Sequence, residues 1–163
     1  MFPGDDAVNA YRVETKRRSV SLTMANGEAL LGHVFIHSSP HRPYEPEDAA
    51  ELFNADEPFF PLELDDGGVR LVAKARVAEV LISRDAETAG QESLQPPSPT
   101  TSVEVNFSGG ERRTGRLRLD APPGRERALD VLNDLTARFL TLHSDHEARL
   151  INRAFINHVR TVD

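Results

Sequence analysis

The chain of 163 residues has no cysteine, no tryptophan and only two tyrosines. Without cysteine it has no disulfide bond, no cysteine nucleophile and no thiolate metal site. No apolar run approaches the roughly 18 residues that a membrane helix needs. The first ten residues carry acidic charge instead of the apolar stretch of a signal peptide. We therefore expect a soluble cytoplasmic protein without a membrane partner, with a core built from Val, Leu, Ile, Ala and eight Phe.

The charge of the chain is unevenly distributed, although its formal net charge is −7. Residues 1–83 hold 8 Lys and Arg against 14 Asp and Glu, a net charge of −6, whereas residues 102–160 hold 10 against 8, a net charge of +2. Overall acidity argues against non-specific nucleic-acid binding, because each phosphate contact requires a basic group. The second half of the chain has a small positive net charge, so this argument against nucleic-acid binding applies to it less strongly.

The sequence contains an internal repeat. Val20–Ile36 aligns with Val103–Leu119 at an offset of 83 residues, and the alignment matches Gly27 with Gly110 and Gly32 with Gly115. Two later blocks follow in the same order, Phe59–Leu62 with Phe139–Leu142 and Leu71–Val80 with Leu150–Val159. Three ordered blocks with matched glycines indicate a tandem duplication.

The repeat divides the chain into four parts. We expect an N-terminal arm over residues 1–18, a first β-rich repeat over 19–83, a flexible linker over 84–101 and a second repeat over 102–162. The linker is rich in Pro, Ser, Thr, Gln and Glu and has few large apolar residues. Such a segment cannot bury enough surface to offset the entropy lost on ordering.

Each repeat has the pattern of a small β structure. Val20, Leu22 and Met24 alternate with polar residues, as in a half-buried strand, and Asn26-Gly27 favours a tight hairpin turn. Short helices are predicted within residues 45–56 and 124–135, each followed by further apolar runs. The expected fold is mainly β with short helices, organised as two repeated five-stranded small barrels or bent sheets.

The order of these blocks resembles the Sm-like (LSm) family. The resemblance covers about 60 residues in each copy and is carried by the first hairpin, by Phe53-Asn54 and Leu132-Asn133, and by Leu71–Val80 and Leu150–Val159. It implies a small β-barrel and an RNA-base pocket at Asn54 and Lys74 in the first copy, and at Asn133, Asn152 and Arg153 in the second. Arg153-Ala154 and Lys74-Ala75 stand where the family has Arg-Gly. The blocks are also similar to tandem repeats in uncharacterised bacterial proteins, which implies no activity.

The sequence offers few candidates for metal-binding or catalytic residues. His33, His37 and His41 lie on a predicted strand and its following loop, and His143 and His146 lie in a turn without a visible fourth ligand, so solvated histidines explain them better than a metal. The sequence has no nucleophile-elbow motif and no phosphate-binding loop. We expect no catalytic residues, metal, cofactor or small-molecule substrate.

The most distinctive surface feature is a basic hairpin in the second copy, with Arg112, Arg113, Arg116 and Arg118. These residues would contact RNA phosphates, or would steer head-to-tail association with the acidic first copy of another chain, or would be neutralised locally by Glu104, Glu111 and Asp120.

Small units of this size bury little surface alone. We therefore expect a non-catalytic protein-interaction or assembly module that acts through exposed strand edges, with a protein partner or self-association. The alternative is an Sm-like RNA-binding protein that uses the basic second repeat.

Overall fold

The computed structural model describes residues 15–37, 47–83, 99–119 and 127–162. These residues form ten strands in one antiparallel sheet with two short α-helices, which confirms the prediction of a mainly β chain with short helices. Most of the predicted arm and linker, together with His41 and Asp120, lies outside the described residues. Neither described helix is long and apolar enough to cross a membrane.

The elements within these described ranges divide into two sets, each of five strands and one helix. The N-terminal half comprises β1 (Thr15–Met24), β2 (Ala29–His37), α1 (Glu47–Asn54), β3 (Phe59–Leu64), β4 (Val69–Ala73) and β5 (Val77–Ser83). The C-terminal half comprises β6 (Thr100–Phe107), β7 (Arg112–Arg118), α2 (Ala128–Asp134), β8 (Phe139–His143), β9 (Glu147–Asn152) and β10 (Ile156–Thr161). Strand β1 thus begins inside the segment expected as an arm, and β6 begins inside the expected linker.

The two hairpins β1–β2 and β6–β7 form where the alternating pattern and the turn glycines place them. Gly27 and Gly110 have φ values of +90° and +94°, a region that residues with a Cβ atom rarely adopt. Val20 and Leu22 point into the core from β1, as Val103 and Val105 do from β6. The matched glycines therefore mark turns of the same kind in the two halves.

A second glycine lets β3 come close to β2. A Cβ atom added at Gly32 would overlap the backbone carbonyl of Glu63, and one added at the matched Gly115 would lie 3.0 Å from the Cβ atom of Leu142. Pairing between β2 and β3 is confined to Gly32 with Leu64 and His33 with Glu63. The absence of a side chain at residue 32 is thus what permits this short contact.

The order of strands across the sheet is β10-β6-β7-β8-β9-β5-β1-β2-β3-β4. Within each half the fifth strand pairs with the first, and the first four pair in sequence. The halves meet where β5 pairs antiparallel with β9. This central pairing, which we call the seam, leaves β4 and β10 as the two outer strands of the sheet.

The core has two clusters of buried side chains, one in each half. Phe60, Leu62 and Val72 lie in the N-terminal cluster, and their counterparts Leu140, Leu142 and Ile151 lie in the C-terminal cluster. Phe139 and Leu150 depart from this division. They belong to the C-terminal strands β8 and β9, yet they pack in the N-terminal cluster. The two cores are therefore joined across the seam by side chains as well as by backbone pairing.

Candidate functional site

The seam is held by an apolar contact and a hydrogen bond between α1 and β8. The ring of Phe139 meets the ring of Phe53 edge to face, with centroids 5.7 Å apart. The side-chain oxygen of Asn54 accepts a hydrogen bond from the backbone N–H of Phe139 at 2.8 Å. Asn54, a predicted site residue, thus fixes one half of the chain to the other.

A buried carboxylate crosses the seam from β5. Glu79, whose side chain is 8% exposed, accepts hydrogen bonds from Arg113 at 2.8 Å and Arg149 at 2.7 Å. The guanidinium of Arg113 also lies 5.6 Å from the centroid of the Phe107 ring. Because a buried carboxylate must be paired, two arginines from the C-terminal half stabilise an acid of the N-terminal half.

The two basic residues of the predicted RNA pocket, Lys74 and Arg153, lie at the C-terminal ends of the helices. Lys74 is buried, and its ammonium donates hydrogen bonds to the carbonyls of Leu52 and Ala55 at 2.7 and 3.1 Å. Burial lowers the pKa of Lys74, and the charge of Arg138 lowers it further, against the opposing effect of Glu57 and Asp56. Cations at this position complement the negative end of a helix and satisfy its last carbonyls.

Arg153 has the same role in the C-terminal half. Its guanidinium donates a hydrogen bond to the carbonyl of Leu135 at 2.7 Å, just after α2. Asn133 lies exposed near the end of the same helix. Asn152 is buried, donates to the carbonyl of Val77 at 2.9 Å across the seam and accepts from the N–H of Ala154. The structure therefore brings Asn133 and Arg153 to one end of α2, and Asn152 to the seam.

The basic hairpin residues lie along β7 but face different partners. Arg113 binds Glu79, as described above. Arg116 forms an exposed ion pair with Asp145 at 2.7 Å, Arg118 is half-buried, and Arg112 is exposed near the turn. Because side chains alternate along a strand, Arg112, Arg116 and Arg118 lie on one face of β7, whereas Arg113 lies on the other.

The histidines that were considered as metal ligands are not gathered into one group within the described residues. His33 Nδ1 lies 3.7 Å from Asp65 Oδ1. In the part of the chain that the structure describes, no group of three or more side chains could hold a metal ion.

The two outer edges of the sheet differ sharply from the seam in what they expose. Phe59 and Leu71, on β3 and β4, are 58% and 75% exposed. Val69, also on β4, is exposed too. At the opposite end of the sheet, β10 has mostly exposed polar residues around the half-buried Val159. An apolar patch beside unpaired backbone groups is typical of a surface that another chain covers.

Comparison of the chain with models of known protein families, with curated proteins and with solved structures finds no match.

Sequence reasoning missed the residues that build the seam and the apolar edge. These are Glu79, Arg149, Phe139, Leu150, Phe59 and Leu71. A signal was present, because Phe59-Phe60, Phe139-Leu140, Leu71-Val72 and Leu150-Ile151 break the polar–apolar alternation of a half-buried strand. Successive apolar residues in a strand indicate burial on both faces. Read in this way, the pairs mark strands that need a second partner.

Proposed function

We propose that this chain is a non-catalytic protein-assembly module of two tandem Sm-like units, which joins protein chains by strand pairing at the open edges of its sheet. The observation that carries the proposal is the exposure of Val69 and Leu71 on the outermost strand β4 and of Phe59 on the adjoining strand β3. Strand addition to such an edge would satisfy backbone groups and cover apolar side chains in one step.

The arrangement within each half supports the two-unit part of the proposal. Both halves have the strand order fifth, first, second, third, fourth, and both place a short helix between the second and third strands. Both also have a 3₁₀ turn between the fourth and fifth strands, Lys74–Arg76 and Arg153–Phe155. Two units of one design, already joined through one edge, are suited to further joining through the equivalent edges.

RNA binding by the C-terminal half is the second candidate. A cleft of about 510 Å³, lined by Arg112, Arg113, Arg149 and His143 among others, favours an anionic ligand. The geometry gives this candidate less support, because Arg113 and Arg149 already bind Glu79. Its test is fluorescence anisotropy with labelled U-rich and A-rich RNA at two salt concentrations. Salt-sensitive binding that Arg116→Glu with Arg118→Glu abolishes would favour RNA over assembly.

The assembly proposal is tested by cross-linking in the cells that naturally produce the protein. Leu71 is replaced by a photoreactive benzoylphenylalanine in one variant, and Leu31 in the control. Leu31 is similarly exposed, at 57%, but lies on the interior strand β2. We expect ultraviolet light to attach a discrete protein to the Leu71 probe and much less to the Leu31 probe. Equal labelling at the two positions, or none, would contradict the proposal.

A further inference from the structure

A groove crosses the seam between the two helices. Its volume is about 440 Å³, within the range of roughly 300–1,000 Å³ that is usual for small-molecule sites. The N-terminal half supplies Ala50, Glu51 and Asn54 from α1 and Ile82 from β5, and the C-terminal half supplies the rest of the lining. The groove is therefore a product of the joining of the two halves, and ligand sites are frequent at interfaces of this kind.

The floor of the groove is one face of the seam strands. Ile82 lies opposite Ala148 across β5–β9, and Ala148 lies opposite His143 across β8–β9. In the next row Leu150 lies opposite Thr141. All five residues line the groove. Because directly opposed residues of antiparallel strands point to the same face, these side chains form one continuous surface, which is apolar over β5 and β9.

The two helices form the walls of the groove. Ala50 and Asn54 lie four residues apart on α1, so they share one face of that helix. Val131 on α2 and Leu135, directly after it, have the same spacing. At the Phe139 end of the groove, the backbone N–H of Phe139 already donates to the Asn54 side chain. This end therefore offers a mainly apolar surface to a ligand.

The opposite end of the groove is basic. Arg116 pairs with His143 across β7–β8, and Arg118, two residues further along β7, lines the groove together with His143. Both Arg118 and His143 are half-buried. The first copy has Phe35 and Glu63 at the matched positions, so the basic end belongs to the second copy alone.

We propose that this groove binds a free medium-chain fatty acid such as decanoate, with its carboxylate at Arg118 and His143 and its hydrocarbon chain directed along β8 toward Phe139. Arginine binds carboxylates through two parallel N–H donors. The strand from Phe139 to His143 spans about 13 Å at roughly 3.3 Å per residue, which suits an extended chain of this size. Glu51 also lines the groove, but it is exposed on α1, where water screens its charge.

No small-molecule substrate was expected from the sequence, because the chain has no catalytic or phosphate-binding motif. A groove of this kind has no sequence motif either, since its lining comes from two helices and four strands that are far apart in the chain. The inference does not rest on strand pairing at the outer edges of the sheet, because neither β4 nor β10 lines the groove. The two proposals can therefore fail separately.

Isothermal titration calorimetry of the full chain measures the binding of decanoate. We expect one site per chain, with an affinity that rises about 4-fold for each CH₂ group added from hexanoate to decanoate. Decanol and decylamine carry a tail of the same length without a carboxylate, and we expect them to bind at least about 10-fold more weakly. Equal affinity for the three ligands overturns the proposal, as does the absence of decanoate binding.

Charge variants test the basic end of the groove. We expect Arg118→Gln to weaken decanoate binding by at least about 10-fold. The matched control is Arg116→Gln, because Arg116 lies on the same face of β7 but does not line the groove. Its affinity should stay within about 2-fold of wild type, since only a screened, distant charge is lost. Leu71→Asp is a second control, because the exposed edge could adsorb an apolar tail. The proposed site is wrong if the two arginine variants behave alike, or if Leu71→Asp abolishes binding.

Nuclear magnetic resonance of wild type with labelled alanine methyl groups tests the site without any substitution. Decanoate should shift the signals of Ala50, Ala137 and Ala148, which line the groove, and leave those of Ala29 and Ala73 unchanged. Shifts confined to Ala73 would place the ligand at the β4 edge and overturn the proposal. If decanoate shifts none of these signals while an acidic peptide with an apolar helical face shifts the groove alanines, the groove is a protein-docking site and the fatty-acid proposal is wrong.

Discussion

Truncation of Phe139 to alanine tests whether the two halves unfold as one unit. Phe139 belongs to the C-terminal half, but it is buried against Phe53 and Leu150 in the N-terminal core. Removing a buried phenylalanine ring from a core costs about 3–5 kcal/mol. The structure around Phe139 can relax little into the cavity, because the Phe53 ring and the backbone hydrogen bond from Phe139 to Asn54 hold this position. We therefore expect Phe139→Ala to lower the free energy of unfolding by about 4 kcal/mol.

Urea unfolding followed by far-ultraviolet circular dichroism measures this loss. With a slope of about 2 kcal/mol per molar urea, the midpoint of Phe139→Ala falls by about 2 M. The matched control is Phe59→Ala, because Phe59 holds the same strand position in the other half. At protein concentrations low enough to keep the chain monomeric, the control changes the free energy of unfolding by less than about 0.5 kcal/mol.

Hydrogen exchange locates the effect along the chain. Loss of the Phe139 ring should lower amide protection in β5 and β1, which lie in the other half, by the same free energy as in β8 and β9. The reasoning is refuted if protection falls only in β6–β10. It is equally refuted if Phe59→Ala costs as much as Phe139→Ala, since the counterparts would then be buried alike.

Four further predictions concern single interactions. Glu79→Gln lowers the free energy of unfolding by about 3 kcal/mol, measured in urea, because two arginines lose a buried anion. Gly32→Ala costs about 2 kcal/mol or more, seen as a lower melting temperature, because the new methyl group overlaps the facing carbonyl of β3. Burial lowers the pKa of Lys74, so its charged form opposes folding, and wild-type stability rises as pH increases through the folded pKa toward the ordinary value of 10.5. Lys74→Met lacks this rise in unfolding measurements. The hydrogen bond from Arg160 lowers the pKa of Glu104, so the support this pair gives β10 is present above the ordinary value of 4.5. It is lost as pH falls through the folded pKa, seen as faster amide exchange in β10, and Glu104→Gln removes this dependence.

The local structure could be predicted from the sequence because its causes are local. Alternation of apolar and polar residues in Val20–Met24 indicated a strand, and the glycines at 27 and 110 indicated hairpin turns. Both described helices lie within the predicted segments. Such signals depend on neighbouring residues alone, and a single chain is enough to read them.

The seam could not be predicted in the same way. Glu79 and Arg149 are separated by 70 residues, and no local pattern states which strand pairs with which. The resemblance to the Sm-like family predicts an RNA pocket at Lys74, but the burial of Lys74 depends on α1 folding over it. The topology of the whole sheet determines whether such a side chain faces solvent or packs against another strand.

The seam also bears on how the chain folds. Its hairpins close over a few residues, whereas β5 must find β9 across a long stretch of chain, so the seam is expected to form after each half has folded. Until then Phe139 and Leu150 are exposed in the C-terminal half. A chain folding near another can close its seam with the neighbour's half, and the two chains then exchange halves as a domain-swapped dimer. Dilute refolding, which favours closure within one chain, is therefore the route to a uniform monomer.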